Sequence, residues 1–326
     1  MGLTAPPVTN MKKIFTHTAI ALACLLALAS CHKQEGPALP ISFGTVDTKA
    51  GATAENIKTE GSAFIVNGEF TQSGTGNHSL FDGTTVTWDS SKWTYSPIRY
   101  WAMTSSYRFR AVWPAEAFSG TGAASYSDDL TEGGAVISGF SVKSSPDEQI
   151  DLLVSSLVTA ETDENGSPTP DKVYLDFKHI LSDVQVYIKA DDPSASIKVK
   201  GITVSGIKGY GSYAYSGSAY AWTASGESKS YSKAWSSPSV LSGSFPDSPQ
   251  CELFMIPQVL SGGMAIQLTY SIGEGPDQIA NLNTATDISW STGTKYMYQI
   301  SVATAGIEFT AKIVDWIDGG TITLTK

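Results

Sequence analysis

The chain has 326 residues, 41% of them hydrophobic and 10% aromatic, with a formal charge of −10 at pH 7. Arginine occurs only at Arg99, Arg108 and Arg110, so the sequence offers no basic face for nucleic acid or an anionic membrane surface. The cysteines Cys24, Cys31 and Cys251 are too few for a zinc cluster or a disulfide framework. Abundant Gly, Ser and Thr with few helix-favouring charged runs is the composition of an exported all-β protein.

Lys12 and Lys13 precede an apolar run, Ala19 to Ala29, that closes in Leu28-Ala29-Ser30-Cys31. A cationic start, a short apolar middle and small residues at the cut make a secretory signal. The run falls short of the roughly 20 apolar residues a spanning helix needs. The expectation is a lipoprotein signal peptide over residues 1–30, with Met11 the true start and Cys31 the lipidated first residue. A cleaved signal without lipid is the alternative. Ala21-Leu22-Ala23-Cys24 is a poorer match, since it would leave an apolar remnant. Residues 31–40 read as a polar tether.

Short strand patterns then recur between Gly, Asp, Asn and Ser turns. Ile41 to Val46 alternates weakly, and Ala63-Phe64-Ile65-Val66 is continuously apolar, as in a strand covered on both faces. Tyr107 to Trp113 puts Tyr, Phe, Ala and Trp on one face and Arg108 and Arg110 on the other, which predicts one buried and one wet face. Glu161 to Asp171 is acidic, proline-bearing and free of large apolar residues. It reads as a boundary between domains at 41–165 and 166–326, with a long hairpin tip as the competing reading. The second half continues with Val173 to His179, Val184 to Ile188, Ile197 to Val204, Ala265 to Tyr270, Tyr296 to Val302, Ile307 to Val314 and Thr321 to Thr325. Many short strands with regular turns and no sustained helical period predict β-sandwiches, and two fit the length.

No catalytic signature accompanies them. There is no Gly-x-Ser-x-Gly elbow, no His-Glu-x-x-His and no phosphate-binding Gly loop before a helix. Beyond the signal, histidine occurs only at His32, His78 and His179, too few for a histidine-rich metal site. His179 lies near Asp176 and Asp183 in sequence, and reads as a structural histidine before a general base. No metal or cofactor is expected. Gly209 to Trp222, with Tyr210, Tyr213, Tyr215, Tyr220 and Trp222 among Ser and Gly, has the composition of a recognition loop; a hairpin with aromatics packed on its sheet is the other reading.

Several blocks in order resemble the fimbrillin-like family of Bacteroidales lipoproteins. They are Trp93-x-Tyr95-x-Pro97-x-x-Tyr100-Trp101, Tyr107-x-Phe109-x-Ala111 with Pro114, Asp151-Leu152-Leu153, and Phe177-x-His179-x-Leu181. Gly201 to Ile207, Pro257-Gln258, Trp290-x-x-Gly293-x-x-Tyr296-x-Tyr298 and Trp316 before Gly319-Gly320 complete the set. The resemblance implies two tandem transthyretin-like Greek-key sandwiches in a type V pilus precursor, carried to the outer membrane and cell surface on the Cys31 lipid. It further implies a protease cut after a basic residue, loss of the first strand, and filling of the groove by a neighbouring subunit's terminal strand. Here the removable strand would hold Ile41, Phe43 and Val46, the cut would fall between Lys49 and Ala50, and the terminal strand, with Ile322 and Leu324, would serve as donor or else complete the second sandwich. Lys49 stands where the family often has arginine, which departs from arginine-specific processing. Three roles remain open: a stalk subunit, a tip or accessory adhesin, and a non-polymerising surface lipoprotein that binds glycan or a host ligand. A hydrolase is the remaining class, and nothing nucleophile-like supports it.

Overall fold

The computed structural model describes residues 38–45, 57–72, 74–283, 287–304, 306–315 and 321–324, the last two stretches as backbone. The signal peptide, Cys31, Val46, Lys49 and Ala50 lie outside them. Twelve strands come first: β1 (Phe43–Thr45), β2 (Ala63–Gln72), β3 (Asn77–Trp88), β4 (Trp93–Thr94), β5 (Ser105–Trp113), β6 (Ser125–Ser127), β7 (Val136–Ser141), β8 (Leu153–Ser155), β9 (Val158–Thr162), β10 (Pro168–Thr169), β11 (Val173–Leu175) and β12 (Phe177–His179). They are followed by β13 (Ser182–Ala190), β14 (Ile197–Tyr215), β15 (Tyr220–Ala234), β16 (Cys251–Met255), β17 (Val259–Leu260), β18 (Ala265–Ile272), β19 (Gln278–Asn283), β20 (Ile288–Ser289), β21 (Thr294–Ala303), β22 (Gly306–Asp315) and β23 (Thr321–Leu324). The expected all-β architecture is what the chain forms, within one compact unit from Pro40 to Lys326.

The strands bury two apolar cores. The larger lies between a five-stranded sheet, ordered β16-β13-β21-β22-β23, and a six-stranded sheet, ordered β19-β18-β14-β7-β6 with β15 on the other edge of β14. Period-2 alternation fills it: Val184, Val186 and Ile188 of β13 and Tyr296, Tyr298, Ile300 and Val302 of β21 face Ile202, Val204, Ile266 and Leu268. The smaller core is richer in rings. Phe64, Val66, Phe81, Tyr107, Phe109 and Ala111 form the inner face of an eight-stranded sheet built on β5-β2-β3. Over that face lies a two-stranded parallel ribbon, β1 beside β11.

The chain crosses between these cores more than once. β6 and β7 join the larger core's sheet, and then β8 to β12 return to the smaller. The acidic stretch is the tip of the β9–β10 hairpin, with Thr162 opposite Pro168 and a turn through Asn165 and Gly166. β8 and β12 pair antiparallel at the passage itself: Leu153 and Phe177 point into the smaller core, and Leu152, Val154, Ile180 and Leu181 into the larger.

One face expected to be wet is not. Arg108 is half exposed, but Arg110 is buried because the loop after β6 folds over it. Its Nη1 donates to both carboxylate oxygens of Asp128, at 2.9 and 3.0 Å, and its Nη2 donates to the Thr131 carbonyl at 2.7 Å. Buried arginine survives only when its charge and donors are met in this way.

β14 needs glycine where strands press together. A Cβ at Gly209 would overlap the hydroxyl oxygen of Tyr231, which is itself buried without a hydrogen-bond partner. Gly209→Ala should lower stability by about 1–3 kcal/mol through overpacking. Adding Tyr231→Phe should recover most of it, since the clashing and unsatisfied oxygen is gone. Urea midpoints of the single and double variants test this, and a double variant no better than Gly209→Ala would disprove the contact.

Candidate assembly site beneath the first strand

β1 is held by little backbone and much side chain. Its parallel ladder spans three residues, Phe43 opposite Val173, Gly44 opposite Tyr174 and Thr45 opposite Leu175. Just ahead of it Ile41 donates to the Arg99 carbonyl at 2.8 Å and accepts from the Tyr95 hydroxyl at 2.7 Å, and Ser42 accepts from Val173 at 2.9 Å. Alternation turns Ile41 and Phe43 inward, where they are 2% and 6% exposed. Phe43 sits among four rings, edge to face: Phe64 at 5.7 Å, Phe81 at 5.5 Å, Tyr95 at 5.6 Å and Phe109 at 6.3 Å between centroids. Gly44 turns outward beneath the Tyr174 ring, whose hydroxyl donates to Asp171 at 3.1 Å.

The Trp/Tyr block quoted from the sequence walls this groove. Tyr95 touches both Phe43 and Phe81, Trp93 packs on Phe64 at 4.7 Å, and Trp101 packs on Tyr107 at 4.6 Å. Phe64 entered the sequence reading only as part of an apolar run, and Phe81 not at all; their signal is the inward parity they share with Val66 and Val86 along β2 and β3.

The segment read as a donor, Ile322 with Leu324, lies on β23 at the outer edge of the five-stranded sheet, opposite Ile313 and Ala311 of β22. It shares no sheet with β1.

The aromatic segment 209–222 is not a loop but the far half of a long hairpin, with its turn at residues 216–219. Four of the five named side chains make packing contacts, Tyr215 meeting Tyr220 edge to face at 5.3 Å. Tyr213 is buried and stacks on Tyr220 at 5.3 Å, Tyr220 donates to the Glu132 carbonyl at 2.9 Å, and the Trp222 indole donates to the Ile180 carbonyl at 2.6 Å. Tyr210 and Tyr215 stay open, 47% and 36% exposed.

A group of ionisable side chains lies beside the β8–β12 passage. Asp151 pairs with His179, so two motif blocks far apart in sequence meet here. Asp183 of β13 accepts from Lys295 at 3.2 Å and from Gln185 at 2.8 Å, and Gln185 donates to Glu252 at 2.7 Å. Burial raises Asp151, against the pull of His179. Burial and then the Glu252 charge push Asp183 up to about 7, against Lys295. Cys251, next to Glu252, is buried with its thiol raised to about 12. Among the described residues no cluster of His, Cys, Asp and Glu could hold a metal, and no helix is long and apolar enough to cross a membrane.

The protein is therefore an all-β chain of packed sheets whose most distinctive site is a groove filled by its own first strand. A model of the family described as fimbrillin-like matches residues 45–316, most of the chain. The chain belongs to the fimbrillin-like family. It is 27% identical over 198 residues to a Bacteroides uniformis protein named "Putative fimbrium subunit Fim1C", covering 60% of each, so it spans about three fifths of that relative's length. The crystal structure of a fimbrial protein from Bacteroides vulgatus superposes with a TM-score of 0.58 at 16% identity, over 85% of this chain and 99% of that one. At that identity the likeness concerns the fold.

The ionisable group gives the stability a signed pH dependence. Native Asp183 keeps a proton that the unfolded chain, at an ordinary aspartate pKa of about 3.9, has released, so lowering pH from about 7 toward 4 favours folding. Asp183→Asn should shrink the gain in urea midpoint between pH 8 and pH 5. A gain as large as the parent's would exclude Asp183 as its source.

Proposed function

We propose that the chain is a fimbrial subunit exported as a lipoprotein on Cys31 and assembled on the cell surface by strand exchange. After a cut between Lys49 and Ala50, the strand carrying Ile41, Phe43 and Val46 leaves, and a neighbouring subunit's strand takes its groove. In this reading Ile322 and Leu324 on β23 are what the chain offers in turn, and the two cores belong to two tandem sandwiches. One observation carries the reading: β1 has a three-residue ladder but deeply seated side chains. Parallel pairing that short adds little, whereas burying an Ile and a Phe is worth roughly 1.5–3 kcal/mol each. Such a strand is held by pockets, and any strand with matching side chains can compete for them. No cofactor or catalytic residue enters.

A second reading keeps the chain acylated, uncut and monomeric, binding a glycan or host protein. Exposed Tyr210 and Tyr215 favour it, since open rings stack on sugars, while Tyr213, Tyr220 and Trp222 would only support them. A tip adhesin would combine both readings.

Intact mass and N-terminal peptide mapping of protein from its native cells separate these. Strand exchange requires a form beginning at Ala50 within detergent-resistant ladders. Recovery of only the form beginning at acylated Cys31, with no ladder, would overturn it.

A further inference from the structure

Resting on the strand-exchange reading, we infer that the groove beneath β1 selects a donor with a bulky aliphatic residue, a ring two positions on and glycine immediately after. The donor is thus a strand other than this chain's Thr321–Lys326 segment. The groove's present occupant defines what fits: Ile41, Phe43 and Gly44 are one aliphatic plug, one aromatic plug and one position without a side chain.

The ring requirement follows from the walls. Four aromatic rings meet Phe43 at centroid distances of 5.5 to 6.3 Å, all edge to face. Ring edges and faces carry opposite partial charge, so such a box is complementary to another ring and not merely to apolar bulk. A leucine there loses the edge-to-face contacts and leaves part of the pocket unfilled. The glycine requirement comes from the outer side, where a Cβ at Gly44 would stand 3.1 Å from Tyr174. Tyr174 is partly exposed, so it can swing aside, at the loss of its bond to Asp171. It therefore weakens a branched residue rather than forbidding it.

The chain's own Thr321 to Lys326 does not meet this pattern. With Ile322 in the Ile41 pocket, Leu324 enters the aromatic box and Thr325 falls beneath Tyr174. Shifting by two residues puts Lys326 into the box, which is worse. The Thr321–Lys326 segment is then suited to some other groove, and this groove to some other strand.

The test uses the full chain from residue 31, with one site-specific protease site placed at residues 47–50, nicked and kept with both pieces present. A labelled peptide spanning Leu39 to Thr48 is exchanged in, and unlabelled peptides compete by fluorescence anisotropy. The parent peptide should displace it. The Phe43→Leu peptide and a Thr321–Lys326 peptide should each compete at least about tenfold more weakly. The Gly44→Val peptide should be several-fold weaker and recover on a nicked Tyr174→Ala protein. A Phe43→Leu or Thr321–Lys326 peptide within twofold of the parent would overturn the selectivity while leaving strand exchange standing. Gly44→Val weakness unrelieved by Tyr174→Ala would remove Tyr174 from it. Failure of the parent peptide itself to enter a folded, nicked chain would overturn strand exchange, and the selectivity with it.

Discussion

The smaller core depends on Phe43. A sheet with one apolar face must be covered by a second layer, and here the cover is a ribbon of two short strands, β1 and β11. Ile41 and Phe43 supply the bulk on one side of that ribbon, and Val173 and Leu175 on the other. Without β1, Phe64, Phe81 and Phe109 would lose the Phe43 ring that covers them. The interaction that stabilises this part of the molecule is therefore the same one that another strand could supply.

What happens at the groove has a structural route to the larger core. β11 is followed after one residue, Asp176, by β12, whose Phe177 still belongs to the smaller core and packs on Phe64 at 5.8 Å. β12 pairs with β8, and the residues on either side of that pair alternate between the two cores. The Asp151–His179 pair and the Trp222–Ile180 bond fasten the same place. The cores are thus joined through a packed, hydrogen-bonded ribbon instead of a solvated linker. That ribbon is built from the Asp151 and His179 blocks, which in sequence carried a family resemblance and, for His179, a structural reading without a partner.

Much of the fold was legible because period-2 alternation is a local signal. β21 follows its sequence pattern. β5 follows it until Arg110, which a carboxylate 18 residues on covers, and Val112, which enters the larger core. β13 is buried on both faces, with Asp183, Gln185 and Tyr187 covered too. Two kinds of feature were not legible. β15 carries little hydrophobic alternation, because it is an edge strand where Tyr231 is its fully buried residue and Ser and Lys face water. The pairing of β1 with β11 joins residues about 130 positions apart, and parallel partners carry no turn between them to announce the match. Likewise Tyr, Ser and Gly composition identified 209–222 as unusual, but not that Tyr213 and Tyr220 stack on each other. Composition reports which side chains are present, not which of them the fold consumes.

The aromatic character of the groove also answers a problem of register. A three-residue ladder specifies alignment weakly, since each backbone position resembles the next. Sliding β1 by one residue would turn Ser42 and Gly44 toward the core and leave the ring box empty. Sliding it by two would put Phe43 at the Ile41 position with Thr45 in the box, or, in the other direction, Ile41 in the box. Directional ring contacts penalise every such slip, where a uniformly aliphatic surface would tolerate several. The rings around Phe43 therefore do two tasks that the backbone is too short to do: they hold the strand, and they fix where along its length it sits.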